Sequence, residues 1–298
     1  MSEAPSITFA IPFYSGRAYL SRAIESVLAQ RDPSWQAFVC DNASPEPGIE
    51  ELVRAVGGGK IGYVRNAANL GMGGNFNRCL DLASTDLVTL LHADDELAPD
   101  YGATMREAAA RHPDAAALYC RAQIIGPDSQ PWFSLADRVK DFINPSTRDE
   151  VVLTGEPGLR AVLRGNFIPA PTLCFRKRVL GDRRFPDGYK FVLDLELTTA
   201  LMLAGDRLVG LPARCYRYRR HEDNATEQFT RSQVRFHEES EFYDRMQRLA
   251  HARGWAACER IARQKRMVKL QVIYRAMKSA ALLQVADARR GIQLLREL

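Results

Sequence analysis

The chain has no apolar run near the roughly 20 residues that a bilayer-crossing helix needs. Residues 1–5 have neither the basic start nor the apolar stretch of a secretory signal. Both absences lead to the expectation of a cytoplasmic protein. The six cysteines (Cys40, Cys79, Cys120, Cys174, Cys215, Cys258) have no CxxC or paired spacing, which argues against a zinc site or a disulfide frame and for reduced core residues. No glycine-rich GxGxxG turn follows the first apolar run. Pro12-Phe13-Tyr14-Ser15-Gly16 stands there instead, and Gly71-Met72-Gly73-Gly74 comes too late and lacks the last glycine. A dinucleotide dehydrogenase is disfavoured on that ground, as is a pyrophosphorylase, which would want a Gly-rich, Arg/Lys-bearing loop at the same place. There is no internal repeat and no low-complexity tract.

At 298 residues and 46% hydrophobic content, the chain can bury one large core, or a core plus an appendage. The net charge of +5 conceals an asymmetry: residues 231–298 hold 15 Lys and Arg against 7 Asp and Glu, leaving 26 against 29 before them. The last segment is therefore +8 and the rest −3.

Short apolar runs alternate with stretches of helical spacing. Ile7 to Phe13 reads as a strand, Leu20 to Gln30 as a helix, and Phe38 to Cys40 as a strand ending in Asp41-Asn42-Ala43-Ser44. A helix from Ile49 to Val56, a strand from Ile61 to Val64, a loop over Asn69 to Gly74 and a helix from Asn75 to Ala83 follow. The pattern predicts a largely parallel sheet with crossover helices and ligands at the strands' carboxyl ends. Leu87 to Leu91 looks buried on both faces, and Asp94-Asp95 follow it. A hard divalent cation such as Mg²⁺ or Mn²⁺ is the usual reason to gather carboxylates at such a place, whereas a helix cap ahead of Pro99 is the plain alternative. Further on, Asp194 and Glu196 open a helix. Two residues apart, they point to different sides, so only one can face a pocket. The stretch from Gly126 to Glu150 has little pattern and reads as a surface excursion serving as a lid.

Taken in order, these segments resemble the family 2 glycosyltransferases of the GT-A fold, inverting enzymes that use nucleotide-diphospho-sugars. The carriers are Ile11-Pro12-Phe13-Tyr14-Ser15-Gly16, Asp41-Asn42-Ala43-Ser44, Asn69-Leu70-Gly71, Asn75-Phe76-Asn77-Arg78, Asp94-Asp95, Val192-Leu193-Asp194 and Tyr218-Arg219-Arg220-His221. The resemblance implies an α/β GT-A fold, a mixed and mostly parallel sheet flanked by helices. Its catalytic domain would occupy residues 1–230, with a nucleotide-sugar part over about 1–120 and an acceptor part over 121–230. Residues 231–298 would form a helical extension. It implies donor contacts from Pro12, Tyr14, Asp41, Asn69, Gly71, Asn75, Arg78, Asp94 and Asp95. A Mn²⁺ or Mg²⁺ ion would be held through Asp95 and His221, with Asp94 beside them, and Asp194 would be the catalytic base. Asp41 would accept the imide N–H of uracil or thymine, favouring a UDP- or dTDP-sugar. Ser15, His92 and Leu193 depart from the family's usual Asn, Asp and Glu. Those departures are the only hints of the competing reading, a degenerate module that binds a nucleotide or a partner without catalysis.

The expected partners are a nucleotide-diphospho-sugar and an acceptor hydroxyl on a glycan, a lipid-linked molecule or a small molecule, with no nucleic acid. In the last segment Val268, Val272, Ile273, Leu282 and Leu283 suggest helices with one apolar and one basic face, suited to a homodimer or to peripheral membrane contact.

Overall fold

The computed structural model describes residues 6–133, 144–221, 224–281, 290–291 and 293–295. Its first strand, β1 (Ile7–Phe13), is buried along almost its whole length, because it lies between β2 (Trp35–Asp41) and β4 (Leu87–Leu90), both parallel to it. β3 (Gly62–Arg65) completes this half of an eight-stranded sheet ordered β3-β2-β1-β4-β9-β6-β10-β8. In the other half, β6 (Ala115–Tyr119) and β10 (Arg207–Gly210) are parallel to each other. β8 (Val151–Leu153) and β9 (Cys174–Arg176) run antiparallel to their neighbours.

Helices cover both faces of the sheet, so its strands read as continuous apolar runs. One core gathers Leu20, Ile24 and Val27 of α1 (Arg17–Leu28), Val53 of α2 (Ile49–Gly57) and Met105 of α4 (Tyr101–Arg111). The other takes Leu80 of α3 (Gly71–Leu82), Leu159 of α5 (Gly155–Arg164), Leu180 of the short α6 (Lys177–Leu180) and Leu201 of α7 (Leu193–Leu203).

α3 begins four residues before the expected start. Gly71, Gly73 and Gly74 read as loop residues, but inside the helix Gly73 lets it approach the chain before α7. A side chain on Gly73 would start only 3.1 Å from Leu193 and 3.3 Å from the Pro186 carbonyl. A second, three-stranded sheet also escaped the sequence reading. In it β11 (Tyr216–Arg219) pairs antiparallel with β5 (Glu96–Leu97) and parallel with β7 (Ala122–Ile125). The strand at Cys215 to Tyr218 is legible in the sequence, but its partners β5 and β7 have no such signal, so the pairing is not. The middle of the expected lid, 134–143, lies outside the described residues.

After α8 (Ala225–Arg231) come α9 (Val234–Ala252), α10 (Ala256–Gln264) and α11 (Arg266–Ala281). The boundary expected at residue 230 is not a gap in packing. Phe236, Phe242, Met246, Cys258, Val268 and Val272 share one core with Leu159, Leu163 and Leu201. Leu270, Ile273, Tyr274 and Met277 lie exposed on the opposite side of α11. Among the described residues no helix is long and apolar enough to cross a membrane.

Candidate active site

A cleft of about 1110 Å³ opens at the carboxyl ends of β1, β2 and β4 and continues beneath the residues leading into α7 and α8. Pro12, Tyr14, Asn42, Asn69, Gly71, Asn75, His92, Asp94, Asp194 and His221 all line it. Pro12 and His221, 209 positions apart in sequence, thus line one cleft.

The two adjacent carboxylates divide their work. Asp94 faces the cleft, and its Oδ2 accepts a hydrogen bond from His221 Nε2 at 3.1 Å. Asp95 is fully buried and not among the cleft-lining residues. Its Oδ2 accepts from Tyr216 Oη at 2.9 Å and its Oδ1 from the Arg219 backbone N–H at 2.7 Å, which fastens β11 beside the β4–β5 turn. The structure therefore moves the principal cleft-facing position from Asp95, where the sequence placed it, to Asp94. One ligand atom each from His92, Asp94 and Asp95 lies within 4.8 Å of the others. Burial works to raise Asp94, but the hydrogen bond from His221 and the nearness of His92 outweigh it and hold the carboxyl below its usual range. Burial, together with the Asp94 charge, pushes Asp95 well up. His92 is lowered by burial against the pull of Asp94, which keeps its ring neutral and able to offer a lone pair. Carboxylate and neutral imidazole donors at this spacing fit a divalent cation.

Arg219 holds this corner rigid. Its side chain is fully buried and donates to the carbonyls of Asp94 at 2.7 Å and Gly126 at 2.8 Å, and it pairs with Glu96. The Tyr19 ring lies 4.9 Å from both its guanidinium and the His221 ring.

On the opposite side of β1 an asparagine network shapes the loop before α3. Asn42 Nδ2 donates to Asn69 Oδ1 at 2.9 Å and to the Gly71 carbonyl at 3.1 Å, while Asn42 Oδ1 accepts the Leu70 N–H at 2.9 Å. Asn66 Nδ2 joins Asn42 to Asn75, and Asn75 Nδ2 reaches the Cys40 carbonyl at 3.2 Å. Gly71, at φ 73°, takes the left-handed conformation that favours glycine. Asp41 serves its own neighbourhood: Oδ1 accepts the Ser44 N–H at 2.7 Å, and Oδ2 accepts from Tyr63 at 2.5 Å and from Arg65. It stands behind the cleft wall, with Asn42 in front. Arg78 is exposed on α3 and is not among the lining residues, so the structure does not bring it to the donor contacts expected of it.

Asp194 stands in the first turn of α7 and lines the cleft. Glu196 is buried on another side, paired with Arg245 of α9. The approach to α7 is held from the tail. Glu238 of α9 accepts the consecutive backbone N–H groups of Lys190 at 2.9 Å, Phe191 at 2.7 Å and Val192 at 3.2 Å. Sequence reasoning missed Glu238, as well as the cleft-lining Arg121, Lys190, Arg214, Arg220, Trp132 and Glu239. The one signal for the glutamates was an adjacent acidic pair opening an otherwise basic segment.

Residues 8–168 match the family model described as Glycosyl transferase family 2, just over half of the chain, and the chain belongs to that family. Among curated relatives, the putative colanic acid biosynthesis glycosyl transferase WcaA of Escherichia coli K12 is 29% identical over 101 residues, 34% of this chain and 36% of WcaA. The putative glycosyltransferase EpsE of Bacillus subtilis 168 is 27% identical over 97 residues, 32% of this chain and 35% of EpsE. The matches thus span about a third of each of these relatives. Among solved structures, residues 1–349 of S. aureus TarS in complex with UDP-GlcNAc superpose with a TM-score of 0.60 at 17% identity, over 82% of this chain and 65% of that one. The fold is the mixed α/β arrangement of the GT-A glycosyltransferases, with a helical C-terminal part.

Proposed function

We propose that the cleft transfers a sugar from a UDP- or dTDP-linked donor to an acceptor hydroxyl, with inversion and with a divalent metal, in the building of a polysaccharide or related glycan. The observation that carries this reading is the Asp94–His221 pair and Asp194 on the walls of one cleft. Asp194 accepts the proton of the attacking hydroxyl, assistance typically worth about 10²–10⁴-fold. One such base suits a single displacement, whereas a glycoside hydrolase needs two carboxylates flanking the bond. A divalent metal held there would supply Lewis-acid neutralisation of the charge on the departing diphosphate. Asp94 and His92 are the residues that would hold it, with Asp95 behind them and His221 hydrogen-bonded to Asp94. Imidazole among the donors favours Mn²⁺ over Mg²⁺. The asparagine network gives the Asn69–Gly71 loop a fixed shape for the nucleotide. The solved TarS complex with UDP-GlcNAc supports a uridine nucleotide for this fold, and the curated relative named for colanic acid biosynthesis supports a polysaccharide product. Asp41 enters as the residue that sets the Ser44 turn.

The test is nucleotide release from UDP-, dTDP- and GDP-sugars with Mn²⁺, Mg²⁺ or EDTA. Release from a UDP- or dTDP-sugar, faster in Mn²⁺ and abolished by EDTA, is expected. Full turnover in EDTA, or a preference for GDP-sugars, would overturn the assignment.

A further inference from the structure

An indole stands open on the cleft wall: Trp132 is 56% exposed and lines the cavity. The chain after β7 folds back to place it there. Ile125 bridges Pro131 in antiparallel pairing, and the Trp132 N–H donates to the Ile124 carbonyl at 3.0 Å. Residues directly opposite one another on paired strands show their side chains on the same face. Ile124 also stands opposite Tyr218 in the parallel pairing of β7 with β11, so Tyr218, Ile124 and Trp132 form a row across the small sheet, and all three line the cleft.

The indole is held in place. Its ring rests on Gly126, where a side chain would begin only 3.0 Å from Trp132 Cε3. The Gly126 N–H donates to the Gln130 carbonyl at 2.8 Å, and Ser129 Oγ in the same turn accepts from Arg22 at 2.6 Å and from Arg219 at 3.1 Å. Arg219 also bonds the carbonyls of both Gly126 and Asp94, so one buried guanidinium ties the ring's position to that of the Asp94–His221 pair. Packed aromatic side chains bury roughly 150–250 Å² each, and leaving this one open forfeits part of that gain. A fixed aromatic face left open in a cavity is how a protein offers apolar surface to a ligand. The negative face of an aromatic ring attracts weakly positive hydrogens, and the axial C–H groups of a β-glucose or β-galactose ring present several of them together on one side. The row lies on the acceptor's side of the site: the asparagine network follows β2 on one side of β1, whereas the small sheet is entered through Asp95 and β5 on the other.

We infer that Trp132 is a stacking platform for a pyranose ring of the acceptor, with Ile124 extending the apolar floor, so that the acceptor is a saccharide and not a simple alcohol. The inference rests on the transfer reading above. It is tested by saturation-transfer difference NMR of the protein with methyl β-D-glucopyranoside, methyl β-D-galactopyranoside, cellobiose and the open-chain polyol sorbitol, with and without UDP and Mn²⁺. At least one pyranoside should respond, with the protons on one face of its ring taking up more saturation than those on the other. That response should fall about fivefold or more in Trp132→Ala, survive largely in Trp132→Phe, and not be rescued by Trp132→Leu, which keeps apolar bulk without a ring. The melting midpoint of each variant should stay within about 3 °C of the unmutated protein, because the side chain is more than half exposed. Silence from every pyranoside, an equal response to sorbitol, or signals unchanged in Trp132→Ala would overturn the inference. So would a Trp132→Ala protein that loses affinity for UDP-glucose or UDP-GlcNAc while keeping it for UDP, since the ring would then serve the donor sugar. Calorimetric titration of the unmutated protein with UDP runs separately: its failure counts against the donor reading and leaves the glycoside comparison intact.

Discussion

Replacing Glu238 by alanine removes the acceptor for three consecutive N–H groups at 2.7–3.2 Å, on the chain that delivers Asp194. Bonds to a charged acceptor contribute roughly 1.5–3 kcal/mol each. Lys190 is exposed, so water can reach part of the vacated site, and a net loss of about 3–5 kcal/mol follows for the three together. At roughly 2 °C per kcal/mol for a chain of this size, the melting midpoint should fall by about 6–10 °C. Catalysis should suffer beyond that, because a base displaced by about 1 Å can cost on the order of 10²-fold. Scanning calorimetry gives the first quantity, and nucleotide release under donor saturation gives the second. UDP affinity should hold, because the asparagine network lies on the other side of β1. Glu238→Gln keeps one accepting oxygen but turns amide hydrogens toward the N–H cluster, and it should fall between alanine and the unmutated protein. A midpoint within 2 °C and turnover within twofold for Glu238→Ala would refute the claim that this carboxylate holds the Asp194 approach.

Asp94→Asn should lose turnover at least 100-fold and weaken Mn²⁺ binding, measured by calorimetry, while keeping its melting midpoint in metal-free buffer. Asp95→Asn loses an acceptor for Tyr216 or Arg219 and should instead lower the midpoint by several degrees; the reverse pattern would return the principal ligand role to Asp95. Asp194→Asn should abolish turnover with UDP affinity unchanged, and Glu196→Gln should chiefly reduce stability because it weakens the pair with Arg245. If Glu196→Gln loses more turnover than Asp194→Asn, the base is Glu196.

The parts of this fold that could be read from sequence are those in which one physical cause dominates. Ile7 to Phe13 and Leu87 to Leu90 are buried on both faces, so hydrophobicity alone marks them as strands. Helix geometry allowed only one of Asp194 and Glu196 to face a pocket, and the family resemblance pointed to Asp194; in the structure Asp194 lines the cleft while Glu196 meets Arg245. The choice between Asp94 and Asp95 had no such local cause. Adjacent residues in a turn are equivalent until partners are known, and those partners, Tyr216 and Arg219, come from a strand more than 120 positions away. Asn75 and Arg78 were read together as donor contacts, yet one is drawn into a network at the cleft wall and the other points to solvent. The early start of α3, made possible by Gly73 against Leu193, helps set those directions.

The tail shows the same limit from the other side. Its charge excess marked residues 231–298 as chemically distinct and suggested a surface for an outside partner. In the structure its acidic residues matter most to the cleft. Glu238 holds the backbone before α7, Glu239 lines the cavity, and Arg245 pairs with Glu196 on another side of α7. The apolar stripe of Phe236, Phe242 and Met246 supplies the burial that keeps these groups in place, within a core shared with α5 and α7. A boundary drawn at residue 230 would therefore separate Asp194 from the carboxylate that holds its approach. The walls of the cleft depend on a segment whose composition resembles none of the quoted motifs.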